Sequence, residues 1–497
     1  MAGDTGQDRR LSSATLDTLP PEVQRPAYDR AATRIGIVHF GPGAFHRAHQ
    51  AVYVDDLLAA HPGWAISAVS LQSCGVRDAL APQDGLYTLA LLEERPRLRV
   101  IGSLRELLCA PQESSAVLAR LADPEVKLVT LTITEKGYCL AGEDLDRMHA
   151  DIRHDLAAPT APRSAIGYLV AGLAARRAQG IPPFTVLSCD NLPGNGRKLR
   201  RALLQYAHIA DEDLAAWIEF RVAFPCSMVD SITPATDDGL REQVASQLHC
   251  QDAWPVQREP FTQWVIEDHF CNERPPFELA GATMGNDIAG YDRAKLRLLN
   301  GAHSTLAYLG ALLDLETVAD AMHSPPLAGF ASRLMHESIA PVIALPAGLQ
   351  AGRYIDAILA RFANPAIRHR LLQIAWDGSQ KLPVRLLGTI QEAMAQGRDI
   401  AALCLPIAGW MHFVRRQARA GVALVDPLAT ELAVIGKATT ADPSRDVGAF
   451  LRLQMFDGLG GDERFITALR SSHAALGDGS PAAVTRALAQ FQATHSR

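Results

Sequence analysis

Three polar side chains in one short segment could transfer a proton and stabilise an alkoxide. The segment Lys295-Leu-Arg-Leu-Leu-Asn300-Gly-Ala-His303 carries an amine, an amide and an imidazole on a predicted helix. Helical periodicity places the three side chains within an arc of about 140°. A lysine whose pKa is lowered by burial can act as a general base, and a nearby asparagine can donate to a developing alkoxide. Spacing alone favours a plainer interpretation, a half-buried helix whose lysine extends to solvent.

A second segment has the composition of a dinucleotide-binding turn. The apolar run 34–40 predicts a buried strand, and Gly41-Pro-Gly43 follows it and begins a predicted helix that reaches Ala59. Two glycines permit a tight turn and a close approach to a pyrophosphate, although His46 replaces the third glycine of the usual fingerprint. We predict that four residues of this turn bind a cofactor: Gly41, Gly43, Ala44 and Phe45.

The second predicted strand, 64–71, leaves the choice of dinucleotide open. An acidic residue at the end of this strand usually holds the adenosine ribose of NAD, but the sequence has no acid there before Asp78. No basic residue precedes Arg77 to hold the 2′-phosphate of NADP. NAD is therefore the expected cofactor, with NADP as an alternative.

Polar residues also follow other apolar runs. Asn191 comes just after the predicted strand 184–189, and Lys136 closes the predicted strand 126–134. Active-site groups gather at the carboxyl ends of parallel strands, but a turn stabilised by an Asx hydrogen bond is an equal alternative for Asn191. Lys381 and Arg385 lie in a predicted helix end or loop, where a solvated face is the default interpretation.

The order of the elements predicts an α/β fold with two domains. Strands are predicted at 34–40, 64–71, 87–92, 126–134 and 184–189, and helices at 113–121 and 165–179. This alternation indicates a doubly wound sheet over residues 1–285, whereas residues 286–497 have helical periodicity almost throughout. Active sites in such proteins tend to lie in the cleft between domains.

Composition excludes several classes of protein. The chain has 497 residues, 48% of them hydrophobic, and a net charge of −6, which argues against nucleic-acid and membrane partners. The first ten residues lack a secretory apolar segment, so we expect a cytoplasmic protein. The eight cysteines are scattered singly, which argues against a zinc ribbon and a disulfide framework.

Together these segments resemble the polyol-specific long-chain dehydrogenase/reductase family, also called the mannitol dehydrogenase family. The resemblance extends from about residue 34 to residue 427 through GPGAFHRAHQ, TEKGYC, VLSCDNLPGNG, FPCSMVDSITP, WVIEDHF and KLRLLNGAHSTLAYLG. It implies an oxidoreductase that uses a nicotinamide cofactor and no zinc or other metal. It also implies a Rossmann-type N-terminal domain and a helical C-terminal domain.

The resemblance assigns roles to the candidate residues. Lys295 matches the family's general base, and Asn191 and Asn300 match the donors that stabilise the substrate oxygen. His303 and Lys381 match substrate-orienting positions. Asp230 is grouped with the cofactor-binding residues. Both Asp230 and Asp292 are weaker candidates for setting the electrostatics of the site or passing protons to solvent.

The family contains both polyol and sugar-acid enzymes. The segments EKGYC, HDLAAPTAPRSAIGYL and RHRLLQIAWDGSQKLPVRLL are more similar to fructuronate reductases, while TLDTLPPEVQRPAYDRAATRIG and DNLPGNG are more similar to mannitol 2-dehydrogenases. Lys136 and Arg385, beside Lys381, could bind a substrate carboxylate, so we predict D-mannonate or D-fructuronate as substrate. Mannitol, another hexitol or a pentitol is the alternative. A non-catalytic binding protein is a remote one, and the chain could be a monomer or homodimer.

Overall fold

The computed structural model describes residues 9–440 and 442–493. The chain forms two compact units, Met1–Ala289 and Gly290–Arg497. The first is built on a parallel sheet and the second is helical, which confirms the predicted α/β class with a Rossmann-type sheet and a helical C-terminal region. Among the described residues, no helix combines the length and apolarity needed to cross a membrane.

The strands of the first unit form four sheets. In chain order they are β1 Ile35–Phe40, β2 Ala65–Ser70, β3 Tyr87–Leu91, β4 Arg97–Ile101, β5 Leu104–Cys109, β6 Leu128–Leu131, β7 Leu140–Ala141, β8 Asp144–Leu145, β9 Thr185–Ser188, β10 Ser227–Asp230, β11 Val256–Arg258, β12 Gln263–Glu267 and β13 Thr283–Gly285.

The largest sheet has the order β5-β2-β1-β6-β9, and all its strands are parallel. Counted in chain order within the sheet, this is the 3-2-1-4-5 arrangement of a doubly wound fold. The order reverses between β1 and β6, and the crevice at the carboxyl ends of these strands is where such folds bind ligands.

Side chains of β1 alternate between two hydrophobic cores. Val38 and Phe40 belong to one core, which contains the helix Ala165–Ala178, and Ile37 belongs to the other, which contains the helix Gln50–Leu57. This period of two explains why the strand is apolar at nearly every position, since both faces of a parallel sheet are covered.

The helices of the first unit cover this sheet and its neighbours. They are Ala44–Ala48, Gln50–Leu57, Gly75–Leu80, Ala110–Ala122, Ala150–Ala157, Ala165–Ala178, Asn195–Ala210, Glu212–Arg221 and Asp238–Leu248. Short 3-10 turns add Leu16–Thr18, Arg30–Ala32, Pro62–Trp64, Ala81–Gln83, Glu135–Tyr138 and Phe277–Ala280.

Two predicted elements of the first unit were wrong in detail. The strand β3 pairs antiparallel with β4 in a separate sheet, and β5 takes the edge of the main sheet. The link 92–96 is too short for a parallel crossover, so a hairpin results. The helix expected to reach Ala59 is interrupted at His49, whose backbone (φ −123°, ψ −91°) is not helical.

Cysteine pairing also departs from the expectation of scattered single thiols. Cys74, before the helix Gly75–Leu80, forms a disulfide with Cys109 at the end of β5. The two cysteines are 35 positions apart in sequence, so spacing gave no signal of the pair. The bond joins the loop after β2 to the end of the adjacent strand β5.

The second unit begins inside the helix Ile288–Ala294 and is helical thereafter. Its α-helices are Asn300–Leu312, Val318–His323, Pro325–Arg333, Ala351–Phe362, Leu371–Ile374, Gly378–Leu382, Gly388–Ala395, Ala401–Ala420, Ala429–Ala438, Pro443–Phe450, Glu463–Ala475 and Pro481–Ala493, with a 3-10 turn at Gln454–Phe456. Three segments are π-helical: Lys295–Leu299, Leu334–Ile339 and Pro383–Leu387. Trp410 packs edge-on against Phe450 in its core.

Candidate active site

The turn after β1 requires glycine at its first position. Gly41 has φ +88°, and a Cβ atom there would lie 2.2 Å from the carbonyl oxygen of Thr132. The Thr132 hydroxyl donates to the Gly41 carbonyl over 2.7 Å, and Nε2 of His39 lies 3.2 Å from the same oxygen. The turn is therefore held against the end of β6 by side chains that the sequence did not single out.

The other glycine of the turn faces open space. Gly43 is exposed, and a Cβ atom there would meet nothing nearer than 3.9 Å. Ala44 and Phe45 begin the next helix and are half-buried. The exposed backbone at the carboxyl end of β1 fits the close approach of a dinucleotide pyrophosphate.

His46 occupies the position of the missing third glycine. Its ring is buried and stacks on His39 at a centroid distance of 3.3 Å. Burial lowers the pKa of His39 to about 3 and that of His46 well below its usual value, so both rings are neutral at pH 7. The stacked pair takes the place of the close helix–strand contact that a glycine permits.

Asp190 joins the loops that follow β6 and β9. Its carboxylate accepts hydrogen bonds from the backbone N–H groups of Ile133 and Thr134 and from the hydroxyl of Tyr138. Burial raises the pKa of Asp190, while these three donors lower it. Sequence reasoning missed this role, although an acid directly after a buried strand was a usable signal.

The other predicted site residues of the first unit lie after β6 and β9 or in a separate sheet. Asn191 is exposed immediately after Asp190, and Lys136 is exposed in the 3-10 turn Glu135–Tyr138. Asp230 is buried at the end of β10, opposite Gln263 of β12. The sheet order places Asn191 and Lys136 at the ends of adjacent strands.

In the second unit, Lys295 begins a π-helical turn. The backbone N–H of Asn300 donates to the Lys295 carbonyl, five residues earlier. In an α-helix these two residues would be separated by about 140° around the axis, whereas a π turn brings residues five apart close to one face. The π turn therefore aligns Lys295, which is 8% exposed, with Asn300 better than regular helical spacing predicts.

Asp292 lies within one turn of Lys295. Burial raises the pKa of this carboxyl group to about 6, and the positive charge of Lys295 opposes the rise. The group therefore changes its charge close to neutral pH, as a proton relay requires.

Basic side chains of the second unit converge around His303. His303 is buried, and its ring lies 4.4 Å from that of Phe362 and 5.3 Å from that of His369. Arg385 donates to the hydroxyl of Ser304 over 3.1 Å. Burial and the charge of Arg385 both lower the pKa of Lys381.

Lys381 and Arg385 lie in the first turns of a helical segment, which agrees with the predicted helix end or loop. Lys381 lies in the helix Gly378–Leu382, and Arg385 lies in the π turn that follows. This π turn is in contact with the one that begins at Lys295. The second unit thus places His303, Lys381 and Arg385 near one another, on turns in contact with the one that carries Lys295.

Comparisons with known protein families agree with these features. Residues 35–279 match the mannitol dehydrogenase Rossmann domain, and residues 287–476 match the mannitol dehydrogenase C-terminal domain. The chain belongs to the mannitol dehydrogenase family. As a member, it is an oxidoreductase that acts on alcohol groups.

Two relatives differ in the substrate that their names give. D-mannonate oxidoreductase of Escherichia coli (strain K12) is 43% identical over 419 residues, which cover 82% of this chain and 86% of the relative. Mannitol 2-dehydrogenase of Aspergillus fumigatus is 39% identical over 465 residues, 90% of this chain and 92% of the relative.

Two solved structures of the family share the fold. A substrate-free D-sorbitol dehydrogenase has a TM-score of 0.90 and 34% identity, and covers 96% of this chain and 100% of its own. Mannitol 2-dehydrogenase of Pseudomonas fluorescens, in a ternary complex with NAD and D-mannitol, has a TM-score of 0.76 and 37% identity over 97% of this chain and 99% of its own.

Proposed function

We propose that this protein is a NAD-dependent oxidoreductase of an open-chain sugar acid, interconverting D-mannonate and D-fructuronate. The observation that carries the proposal is that two cations, Lys381 and Arg385, lie close enough to interact electrostatically. Burial lowers the pKa of both groups, and the charge of Arg385 lowers the pKa of Lys381 further, so an anionic ligand beside them would be favoured. The similarity to a D-mannonate oxidoreductase supports the same substrate class.

The first unit, with a proposed domain of residues 1–285, is assigned to cofactor binding. Gly41, Gly43, Ala44 and Phe45 would hold the pyrophosphate, and Asp230 is assigned to the same ligand. NAD, when bound, accepts or supplies the hydride. The open face of Gly43 fits this group, and the ternary complex of the related mannitol 2-dehydrogenase with NAD supports the choice.

The second domain, residues 286–497, is assigned to proton transfer and substrate binding. Lys295 takes the proton of the secondary alcohol during oxidation and returns it during reduction. We assign to Asn300 and Asn191 hydrogen bonds to the substrate oxygen, which stabilise negative charge as it develops. Asp292 then passes the proton of Lys295 to solvent.

The remaining assignments concern substrate binding, cellular location and partners. His303 orients the sugar chain, Lys381 and Arg385 bind its carboxylate, and Lys136 is a further candidate for this charge. We expect the enzyme to work in the cytoplasm as a monomer or homodimer, without nucleic-acid or membrane partners.

A polyol is the second candidate substrate. Asp377 lies 3.9 Å from the ammonium of Lys381 and offsets part of its charge. A neutral hexitol would tolerate this arrangement. The similarity to a mannitol 2-dehydrogenase and a D-sorbitol dehydrogenase favours it as well.

A panel of substrates tests the proposal. D-mannonate, D-mannitol, D-arabinitol and D-sorbitol are each assayed with NAD and NADP by following the reduced cofactor. We expect D-mannonate with NAD to give the highest kcat/KM. Lys295→Ala should lower that value by at least about 10²-fold, whereas the exposed control Lys437→Ala should leave it unchanged. Turnover of polyols alone would contradict the sugar-acid assignment.

A further inference from the structure

His303 and His369, in the second unit, each hold a buried ring nitrogen without a hydrogen-bond partner among the described residues. Within residues 9–440 and 442–493, neither Nε2 of His303 nor Nδ1 of His369 is paired. The rings meet edge to face at 78°, with centroids 5.3 Å apart, and Phe362 covers His303 on another side. A buried polar atom without a partner is costly, so a ligand that supplies an acceptor would be stabilised here.

The charges around these nitrogens are positive. Burial is the largest cause that lowers the pKa of His303, followed by His369 and by the charges of Arg361 and Arg385. Burial likewise lowers the pKa of His369, with further contributions from Lys381 and Arg385. Both rings are therefore neutral at pH 7, and each can donate an N–H beside fixed cations.

Two carboxylates contribute to the electrostatics of this cluster. Asp377 and Asp426 act on Lys381, and both raise its pKa. Among the described residues, Arg385 forms no salt bridge and makes one hydrogen bond, to Ser304. His303, His369 and Arg385 thus present donors and positive charge, and no carboxylate of the described residues is paired with them.

The position of His369 is fixed by its backbone. Its carbonyl accepts a hydrogen bond from Val318 over 3.0 Å, and its N–H donates to Ile367 over 2.9 Å. The next residue, Arg370, forms an antiparallel bridge with Thr317. The backbone of His369 is therefore anchored to the start of the helix Val318–His323, and its ring packs against that of His303. A binding group needs such support to select between similar ligands.

We propose that His369 is a specificity-determining residue that donates a hydrogen bond to the carboxylate of the substrate, beside Arg385. The proposal rests on the proposed function, since it requires a sugar-acid substrate. The distance along the helix from Asn300 to His303 is about 4.5 Å, which suits a carboxylate several carbons from the reacting alcohol. A polyol lacks the anion and gains little from this residue.

Three variants test the inference. His369→Leu removes the donor while keeping bulk, His369→Gln restores an N–H donor, and His336→Leu is an exposed control from the same unit. We measure kcat and KM for D-mannonate and D-mannitol with NAD. Where turnover of D-mannitol is too slow, its competitive inhibition constant replaces KM.

We expect His369→Leu to raise the KM for D-mannonate by about 10- to 100-fold, the usual range for a lost hydrogen bond to a charged group. The value of kcat and the D-mannitol constant should change by less than about twofold, and His369→Gln should recover part of the loss. An equal loss on both substrates, or no change on either, would overturn the inference.

The proposed function is judged separately, on the wild type alone. Failure of the wild type to oxidise D-mannonate or reduce D-fructuronate would contradict the function, whatever the variants do. If the melting temperature shows that His369→Leu does not fold, His369→Phe is used in the same comparison. A uniform change between substrates in that variant would overturn the inference as well.

Discussion

The backbone N–H of Asn300 donates a hydrogen bond to the carbonyl oxygen of Lys295 and closes a π-helical turn. The turn places the proposed base and the proposed alkoxide donor near one face of the helix. Such turns usually arise where one extra residue is accommodated within an α-helix, and they are frequent at functional sites. The alignment of the two side chains therefore depends on the length of this turn as well as on their identities.

Deleting Leu296 should convert the π turn to an α-helical one and rotate Lys295 away from Asn300. We expect kcat/KM to fall by at least about 10²-fold, because small displacements of catalytic groups are costly. The melting temperature should change far less than the activity. Deletion of the exposed Glu337, in the π turn Leu334–Ile339, controls for the general effect of shortening such a turn. Unchanged activity after the Leu296 deletion would show that the π turn has no catalytic role.

The carboxyl group of Asp292 should control the acid side of the pH profile. Its pKa of about 6 means that it is ionised, and able to accept a proton from Lys295, only above that pH. We expect kcat for alcohol oxidation to fall as the pH drops through about 6, and Asp292→Asn to lower kcat and remove this transition. Asp356→Asn, which changes an exposed carboxylate, should preserve it.

The carboxyl group of Asp292 should also affect the stability of the fold, in a direction that follows from its raised pKa. A carboxyl whose pKa is higher in the folded protein than in the unfolded chain holds a proton there that the unfolded chain has lost. Asp292 therefore stabilises the fold as the pH falls from about 6 toward 4 and destabilises it as the pH rises through about 6. Unfolding by urea across this range should show a smaller pH dependence for Asp292→Asn.

The two glycines of the phosphate turn should respond differently to the same substitution. Gly41→Ala places a Cβ atom against the carbonyl of Thr132 in a left-handed backbone, and should reduce the free energy of unfolding by at least about 1–2 kcal/mol. Gly43 has φ −68° and open space, so Gly43→Ala should fold normally. Its methyl group should raise the KM for NAD by about tenfold. Equal melting temperatures for both variants would contradict this difference.

The disulfide between Cys74 and Cys109 should stabilise the first unit. A cross-link that closes a loop of this length typically contributes about 2–4 kcal/mol. We expect dithiothreitol to lower the melting temperature of the wild type and to leave the Cys74→Ser, Cys109→Ser double variant unaffected. Titration of eight free thiols in the wild-type protein before reduction would contradict this expectation.

The main features of the fold could be predicted from the sequence because they depend on local patterns. The apolar runs at β1, β2, β6 and β9 indicated buried parallel strands, and the periodicity beyond residue 286 indicated helices. The pairing of β3 with β4 could not be predicted as securely, since it is set by the short link between them. The disulfide, whose two cysteines are 35 positions apart, also depends on how segments distant in the chain meet.

The candidate site was predictable to a similar degree. Residue types and family resemblance selected Lys295 and Asn300, but regular helical spacing left them spread apart. The π turn that aligns them is a backbone irregularity without a local composition signal. Asp190 and His369 were missed because their roles arise from contacts between segments distant in the chain.

The preference for NAD over NADP should depend on how Arg77 is engaged. Arg77 lies in the helix that follows β2, where the adenosine ribose of a dinucleotide is expected, and it pairs with Asp78 at 2.8 Å and with Glu113 at 2.7 Å. Two carboxylates neutralise the cation that a 2′-phosphate would need and repel that phosphate. We expect the wild type to use NADP with a kcat/KM at least about tenfold below that for NAD.

Glu113→Gln should reduce this preference. The glutamine oxygen can still accept the backbone N–H of Cys109, so the local fold is retained while one negative charge is lost. We expect kcat/KM for NADP to rise by about threefold or more while the value for NAD changes little, and the exposed control Glu125→Gln to alter neither. The measurement is the ratio of the two kcat/KM values at low ionic strength, where electrostatic effects are largest. If NADP is already the better cofactor of the wild type, a basic residue other than Arg77 must bind its phosphate.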